Sequence, residues 1–62
     1  MPVYRFYYLD SAGHIAGPPT IGDFADDRAA GEAAKALVNE KAIEIWEGPR
    51  VVARIAPKHP DR

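Results

Sequence analysis

The sequence predicts an α+β domain in the order β-β-α-β-β, with one helix packed on one face of a four-stranded, mainly antiparallel sheet. Two observations favour it: aromatic and branched residues alternate at both ends of the chain, and an alanine-rich stretch between them repeats every three or four residues. One helix covers only one face of such a sheet. In 62 residues we expect a single domain over 1–56 and a disordered polar tail over 57–62.

The first strand is predicted from VYRFYYL, residues 3–9. Side chains alternate across a strand, so one face carries Tyr4, Phe6 and Tyr8. The other face carries Arg5 and Tyr7, and the arginine marks it as the more solvated one.

A turn and an edge strand are predicted next. Asp-Ser-Ala-Gly at 10–13 suits a hairpin turn, in which the aspartate bonds nearby backbone and Gly13 takes a left-handed conformation. The return strand begins at 14–16, but Gly17-Pro18-Pro19 interrupts it, because prolines donate no amide hydrogen to a ladder. We therefore expect a bent edge strand that resumes over 20–24.

The helix is predicted within FADDRAAGEAAKALVNE, residues 24–40. Asp26 or Asp27 is expected to cap its N-terminus, and Asn39 is expected to end it in a left-handed conformation. The predicted buried face has helical spacing and consists of Ala30, Ala33, Ala34, Leu37 and Val38.

The second hairpin is predicted in AIEIWEGPRVVARIA, residues 42–56, with its turn at 47–50. Strict alternation places Ile43 and Ile45 toward the helix, together with Val51, Ala53 and Ile55. The same alternation predicts that six side chains point away from the helix: Arg5, Tyr7, Glu44, Trp46, Val52 and Arg54.

Composition narrows the possible functions. Eight basic and nine acidic residues give a net charge of −1, which disfavours strong binding to nucleic acid or to an anionic membrane. The absence of cysteine excludes disulfides and thiolate zinc sites and favours a cytoplasmic protein. His14 and His59 are too few for a metal site, so neither a metal nor any other cofactor is expected. No apolar run is long enough to predict a membrane span.

The face away from the helix has three interpretations. Aromatic residues interleaved with arginine are typical of sheets that stack single-stranded RNA, although Glu44 and the acidic balance oppose weak nucleic-acid binding of this kind. The aromatics could instead serve only the core. We favour a third interpretation, a protein contact or homodimer face. The candidate binding residues are Arg5, Tyr7, Trp46, Arg50 and Arg54.

Catalytic chemistry is not predicted. Asp10 and His14 form a possible polar site, but only Ser11 accompanies them, and a turn histidine bonded to backbone is the commoner arrangement. Glu44 and Glu47 should lie on opposite faces of one strand, so they do not form a carboxylate pair. We infer no enzyme and no small-molecule substrate.

The chain resembles a family of short proteins of unknown function from rhizobia and related alphaproteobacteria. The likeness spans residues 3–54 through YRFYYLDSAGHI, a helix started by Asp-Asp, and EIWEGPR. It implies a domain of unknown function and supplies no catalytic or cofactor residue. The matching positions are Tyr4, Arg5, Leu9, Asp10, Gly13, His14, Ile15, Asp27, Glu44, Trp46, Gly48 and Arg50.

Overall fold

Four strands and one helix make up the protein in a computed structural model, which describes residues 1–58. The elements are β1 (Val3–Leu9), β2 (Thr20–Asp23), α1 (Asp27–Leu37), β3 (Ala42–Glu47) and β4 (Arg50–Ile55). The predicted β-β-α-β-β order and the α+β class are confirmed.

The strands form one sheet in the order β2-β1-β3-β4, and every neighbouring pair is antiparallel. Strands β1 and β3, which each begin a hairpin, pair at the centre. The proline-interrupted strand β2 lies at one edge, as predicted, and β4 lies at the other. The relative order of the two hairpins could not be predicted from the sequence.

The core lies between the sheet and α1. Tyr4 and Phe6 of β1 and Ile43 and Ile45 of β3 are almost completely buried there. Ala30 and Ala34 of the helix and Val38, just after its end, pack against them, and the two small alanines leave room for the large side chains of the sheet. Burial of each isoleucine contributes about 1.5–3 kcal/mol.

Phe24 lies beside the helix and completes this layer. The helix itself lies mainly over β3 and β4. The Phe24 ring stacks on Phe6 with centroids 5.6 Å apart and meets the edge of Tyr4 at 6.0 Å. A Cβ at Gly22 would lie only 3.0 Å from the Phe24 ring, so glycine there allows the ring to approach the sheet.

The helix begins as predicted but ends differently. Asp26 is the N-cap, and its carboxylate accepts a hydrogen bond from Ala29 N at 2.8 Å. The C-cap is Val38 in an extended conformation, and no non-glycine residue among 1–58 has a positive φ, so the left-handed stop at Asn39 is wrong. Leu37 is also not buried as predicted, because it is 45% exposed.

The predicted alternation fails in β4. A bulge between Ile45 and Trp46 of the β3–β4 ladder pairs Ile45 with Ala53 but Trp46 with Val51. The extra residue, Val52, packs against the core instead of pointing away from the helix. Val51 takes the position that the sequence analysis assigned to Val52.

The chain leaves the sheet after Ile55. Lys58 N donates a hydrogen bond to Asn39 O at 2.7 Å, so this part of the predicted tail is attached to the segment that precedes β3. Residues 59–62, including His59, lie outside the described residues. Between residues 1 and 58, no helix has the length and apolar character needed to cross a membrane.

Candidate interaction surface

The side of the sheet away from α1 is the candidate site, and we call it the open face. Strand register defines its members, because directly paired residues point to the same side. They are Val3, Arg5, Tyr7, Ile21, Asp23, Glu44, Trp46, Val51 and Arg54. Leu9 has the same parity in β1 but is buried, so the open face ends before it.

Branched apolar side chains are exposed across this face. The exposed fractions are 46% for Val3, 61% for Ile21 and 50% for Val51. Tyr7 and Trp46 lie between them and are half-buried. The predicted residues Arg5, Tyr7, Trp46 and Arg54 therefore do come together on one surface, and the exposed Ile21 and Val51 lie at the two ends of the row that contains Arg5 and Trp46.

A hydrogen-bonded network holds Trp46 in place on the open face. Its indole Nε1 donates to Glu44 Oε1 at 2.9 Å, and Arg54 donates to Glu44 Oε2 at 3.3 Å. The Trp46 bond and then the Arg54 bond keep the pKa of Glu44 below its ordinary value. The Glu44 side chain is only 18% exposed and remains charged with both oxygens bonded, so a covering partner would not leave it unpaired.

Charge on the open face is balanced. Glu44 neutralises Arg54. Arg5 is exposed and makes no ion pair with any residue between 1 and 58, and the exposed Asp23 at the β2 edge carries the opposite charge. The surface combines separated charges with apolar area and does not form a basic stripe.

Arg50, the fifth candidate binding residue, lies elsewhere. Its guanidinium donates two hydrogen bonds of 3.0 Å to the carboxylate of Asp27, at the start of α1, and also pairs with Glu47. Tyr4 OH donates to the same Asp27 carboxylate at 2.8 Å. We call these four residues the Asp27 corner, and they give Arg50 the structural role that the sequence analysis lacked.

The Asp27 corner perturbs the pKa of three of its members. The hydrogen bonds to Asp27 and then to Glu47 raise the pKa of Arg50 above its ordinary value. The Arg50 bonds and then the Tyr4 bond lower the pKa of Asp27. Burial, followed by the hydrogen bond to Asp27, raises the pKa of Tyr4 to about 12. Each polar group already has a partner within the corner. The corner therefore has a structural role, in which it links β1, α1 and β4.

Asp10 and His14 do not form a side-chain pair. The Asp10 carboxylate accepts hydrogen bonds from the backbone nitrogens of Ala12 and His14, both at 2.9 Å. The His14 amide, ahead of the Ala12 amide, lowers the pKa of Asp10. Gly13 has φ 85° and its amide bonds Asp10 O at 2.9 Å, which confirms the predicted turn.

A small concave site lies between the end of β1 and the segment that precedes β3. This depression of about 200 Å³ is lined by Tyr8, Asn39, Glu40 and Lys41. Ligand pockets generally measure about 300–1,000 Å³, so it does not suit a typical organic ligand. Among residues 1–58, no three side chains of the metal-ligating types are grouped closely enough to hold an ion.

Four residues of the open face were not predicted from the sequence: Val3, Ile21, Asp23 and Val51. Asp23, like Ile21, lies on β2. The side of the sheet to which Ile21 points could not be deduced from the sequence, because it depends on the β1–β2 register, which pairs Arg5 with Ile21. Strict alternation assigned Val51 to the helix side, because the bulge cannot be recognised from alternation alone. For Val3, the alternation with Arg5 and Tyr7 was available as a signal.

Comparisons with known proteins do not add to this geometry. No protein-family model, no curated protein and no solved structure matches the chain significantly.

Proposed function

We propose that the chain is a small protein-interaction module, working by homodimerisation or by binding another protein through the open face. One observation carries this proposal: apolar side chains that the described fold does not bury are grouped on one side of the sheet around a hydrogen-bonded tryptophan. Protein interfaces are enriched in aromatic residues and arginine, and Trp46, Tyr7 and Arg5 lie at the centre of this face.

The size of the core supports the proposal. Eight hydrophobic residues are buried in the part of the chain that the structure describes, and two of them are alanines. A chain of this length buries only about 60% of the surface exposed in its unfolded form, and burial barely exceeds chain entropy in such domains. A partner on the open face would add the apolar burial that the helix cannot supply.

Single-stranded nucleic acid is the alternative ligand for the same aromatic and arginine residues. The internal pairing of Glu44 with Arg54 weighs against it, because among residues 1–58 Arg5 is then the only unpaired cation on the open face. A nucleic-acid complex would also lose affinity steeply with salt. The balanced charge of the face favours a protein partner.

We also propose that the protein acts in the cytoplasm and is related to the rhizobial-type family described above. The absence of cysteine from the sequence supports the compartment. The family's motif positions Tyr4, Asp27 and Arg50 meet in the Asp27 corner, which gives a reason for their occurrence together. Recovery of a relative that keeps all three, followed by its structure, would test the kinship.

Site-specific photo-crosslinking tests the interaction function. A benzophenone amino acid is placed at Ile21 on the open face and, as a matched control, at Leu37 on the helix, since both side chains are exposed. Each protein is irradiated alone and in extract of its source cells. We expect several-fold more protein adduct from position 21 than from position 37.

Equal yields of protein adduct from the two positions, alone and in extract, would refute the proposed function. The nucleic-acid alternative is tested separately with a labelled single-stranded oligonucleotide at two salt concentrations. Binding that weakens steeply with salt and is lost in Trp46→Ala would replace the protein-interaction proposal.

A further inference from the structure

We infer that the open face is occupied by a second copy of this chain, stacked face to face about a twofold axis that runs parallel to the strands between β1 and β3. The inference rests on the proposed function, because it names the partner for the same face. Sheets that stack in this way usually keep their strand directions within about 30°.

Register fixes which residues the axis would bring together. Four side chains form one row across the open face in the order Ile21, Arg5, Trp46 and Val51. A twofold axis parallel to the strands reverses this order in the second copy. Arg5 then lies over Trp46 of the second copy, and Ile21 lies over Val51.

These pairings are chemically complementary. Arg5 is exposed and has no ion-pair partner among residues 1–58, and an arginine guanidinium binds favourably over the face of an indole. Ile21 and Val51 are the two most exposed apolar residues of the face, and the contact would bury each against the other. Both pairings occur twice in a symmetric dimer.

The adjacent row is compatible with the same axis. It contains Tyr7, Glu44 and Arg54, and the axis places Tyr7 over Glu44 of the second copy. The phenol can donate a hydrogen bond to the carboxylate. Glu44 would enter the interface with its bonds to Trp46 and Arg54 already formed.

A twofold axis across the strands fits less well. Placed on the first row, it sets Arg5 against Arg5 of the second copy, and such like-charge contacts are destabilising. Placed between the two rows, it sets the apolar Val51 against Arg54. The observed order of charged and apolar residues therefore favours the axis parallel to the strands.

The area of the face indicates a weak dimer. Four strands spaced at about 4.8 Å, each contributing about six residues at 3.3 Å, give a footprint of about 400 Å² per copy. Two footprints fall below the roughly 1,200–2,000 Å² of stable interfaces. We therefore expect a dissociation constant on the order of tens of micromolar or weaker.

Complementary charges test the pairing directly. The full 62-residue chain is studied by sedimentation velocity from a few micromolar to about 1 mM, together with Ile21→Asp and Val51→Lys. In a dimer of either variant alone, the introduced charge would lie against an apolar residue at both symmetry-related contacts. The dissociation constant Kd should therefore rise about tenfold or more. Their equimolar mixture should restore dimers, because the carboxylate introduced at position 21 of one chain would meet the ammonium group introduced at position 51 of the other. Leu37→Asp is the matched control and should dimerise like the wild type.

Several outcomes would overturn the inference: a wild type that stays monomeric at every concentration, single variants that dimerise normally, or a mixture that stays monomeric. Adducts of position 21 with a different protein would in that case leave the proposed function standing. A readout without variants is the fluorescence of Trp46, the single tryptophan, in the wild type. Its emission should move to the red on dilution through the same range, and constant emission would also refute the second copy.

Discussion

The two faces of the sheet use the same strands in opposite ways. On β1, Tyr4 and Phe6 are buried under the helix, whereas Val3 and Arg5 are exposed on the open face. On β3, Ile43 and Ile45 are buried while Trp46 lies half-covered on the other side. The helix-side residues explain why the chain folds. The open-face residues lie outside that core cluster, and the proposed contact outside the monomer would account for their apolar and aromatic character.

Truncation of one residue on each face should give the largest difference. Ile45→Ala removes a completely buried side chain and should lower the free energy of unfolding by about 2–5 kcal/mol. Val51→Ala removes a half-exposed one and should change it by about 0.5 kcal/mol or less in dilute, monomeric protein. Urea unfolding followed by circular dichroism measures both, and comparable losses would mean that the open face belongs to the core.

The helix offers a second contrast, between a buried and an exposed alanine. Ala34→Leu inserts extra volume beneath α1, where Ala34 is completely buried, and should cost about 1–3 kcal/mol. Ala36→Leu places the same side chain on the exposed side of the helix and should be nearly neutral. Thermal unfolding of the pair checks the prediction. Equal melting temperatures would show that the helix does not pack as closely as its alanines indicate.

Local chemistry accounts for most of what the sequence could predict. The N-cap at Asp26, the turn at Asp10 and the two faces of β1 depend on neighbouring residues, so a pattern within a few positions is enough to indicate them. On that basis Arg5, Tyr7 and Trp46 could be assigned to one surface before their contacts were known.

Features that depend on distant parts of the chain could not be predicted. Val51, and not Val52, points to the open face because of a bulge, and this bulge exists only when β3 and β4 are paired. The role of Arg50 depends on Asp27, which is 23 residues earlier and becomes its neighbour only after α1 packs on the sheet. Strand register fixed the position of Ile21 in the same way.

The Asp27 corner and the open face also differ in the bonding of their tyrosines, because Tyr4 in the corner donates a hydrogen bond to Asp27. We expect the stability at high pH to show this difference. The folded-state pKa of Tyr4 is about 12, above its ordinary value of 10.0, so the folded protein holds the phenolic proton more tightly than the unfolded chain does. The resulting stability is fully present below pH 10 and is lost as the pH rises through about 12. We expect the melting temperature to fall over this window because an ionised phenol would be buried against Asp27.

Tyr4→Phe is the decisive variant, and Tyr7→Phe is its control on the open face. Tyr4→Phe removes the bond to Asp27, so it should melt at a lower temperature near neutral pH but lose less stability above pH 10. Tyr7→Phe keeps Tyr4 and should retain the alkaline loss of the wild type. The measurement is melting temperature against pH, with tyrosinate absorbance recorded in parallel. An unchanged alkaline profile in Tyr4→Phe would show that the corner does not hold the Tyr4 proton, and the helix-side face would then depend on apolar packing alone.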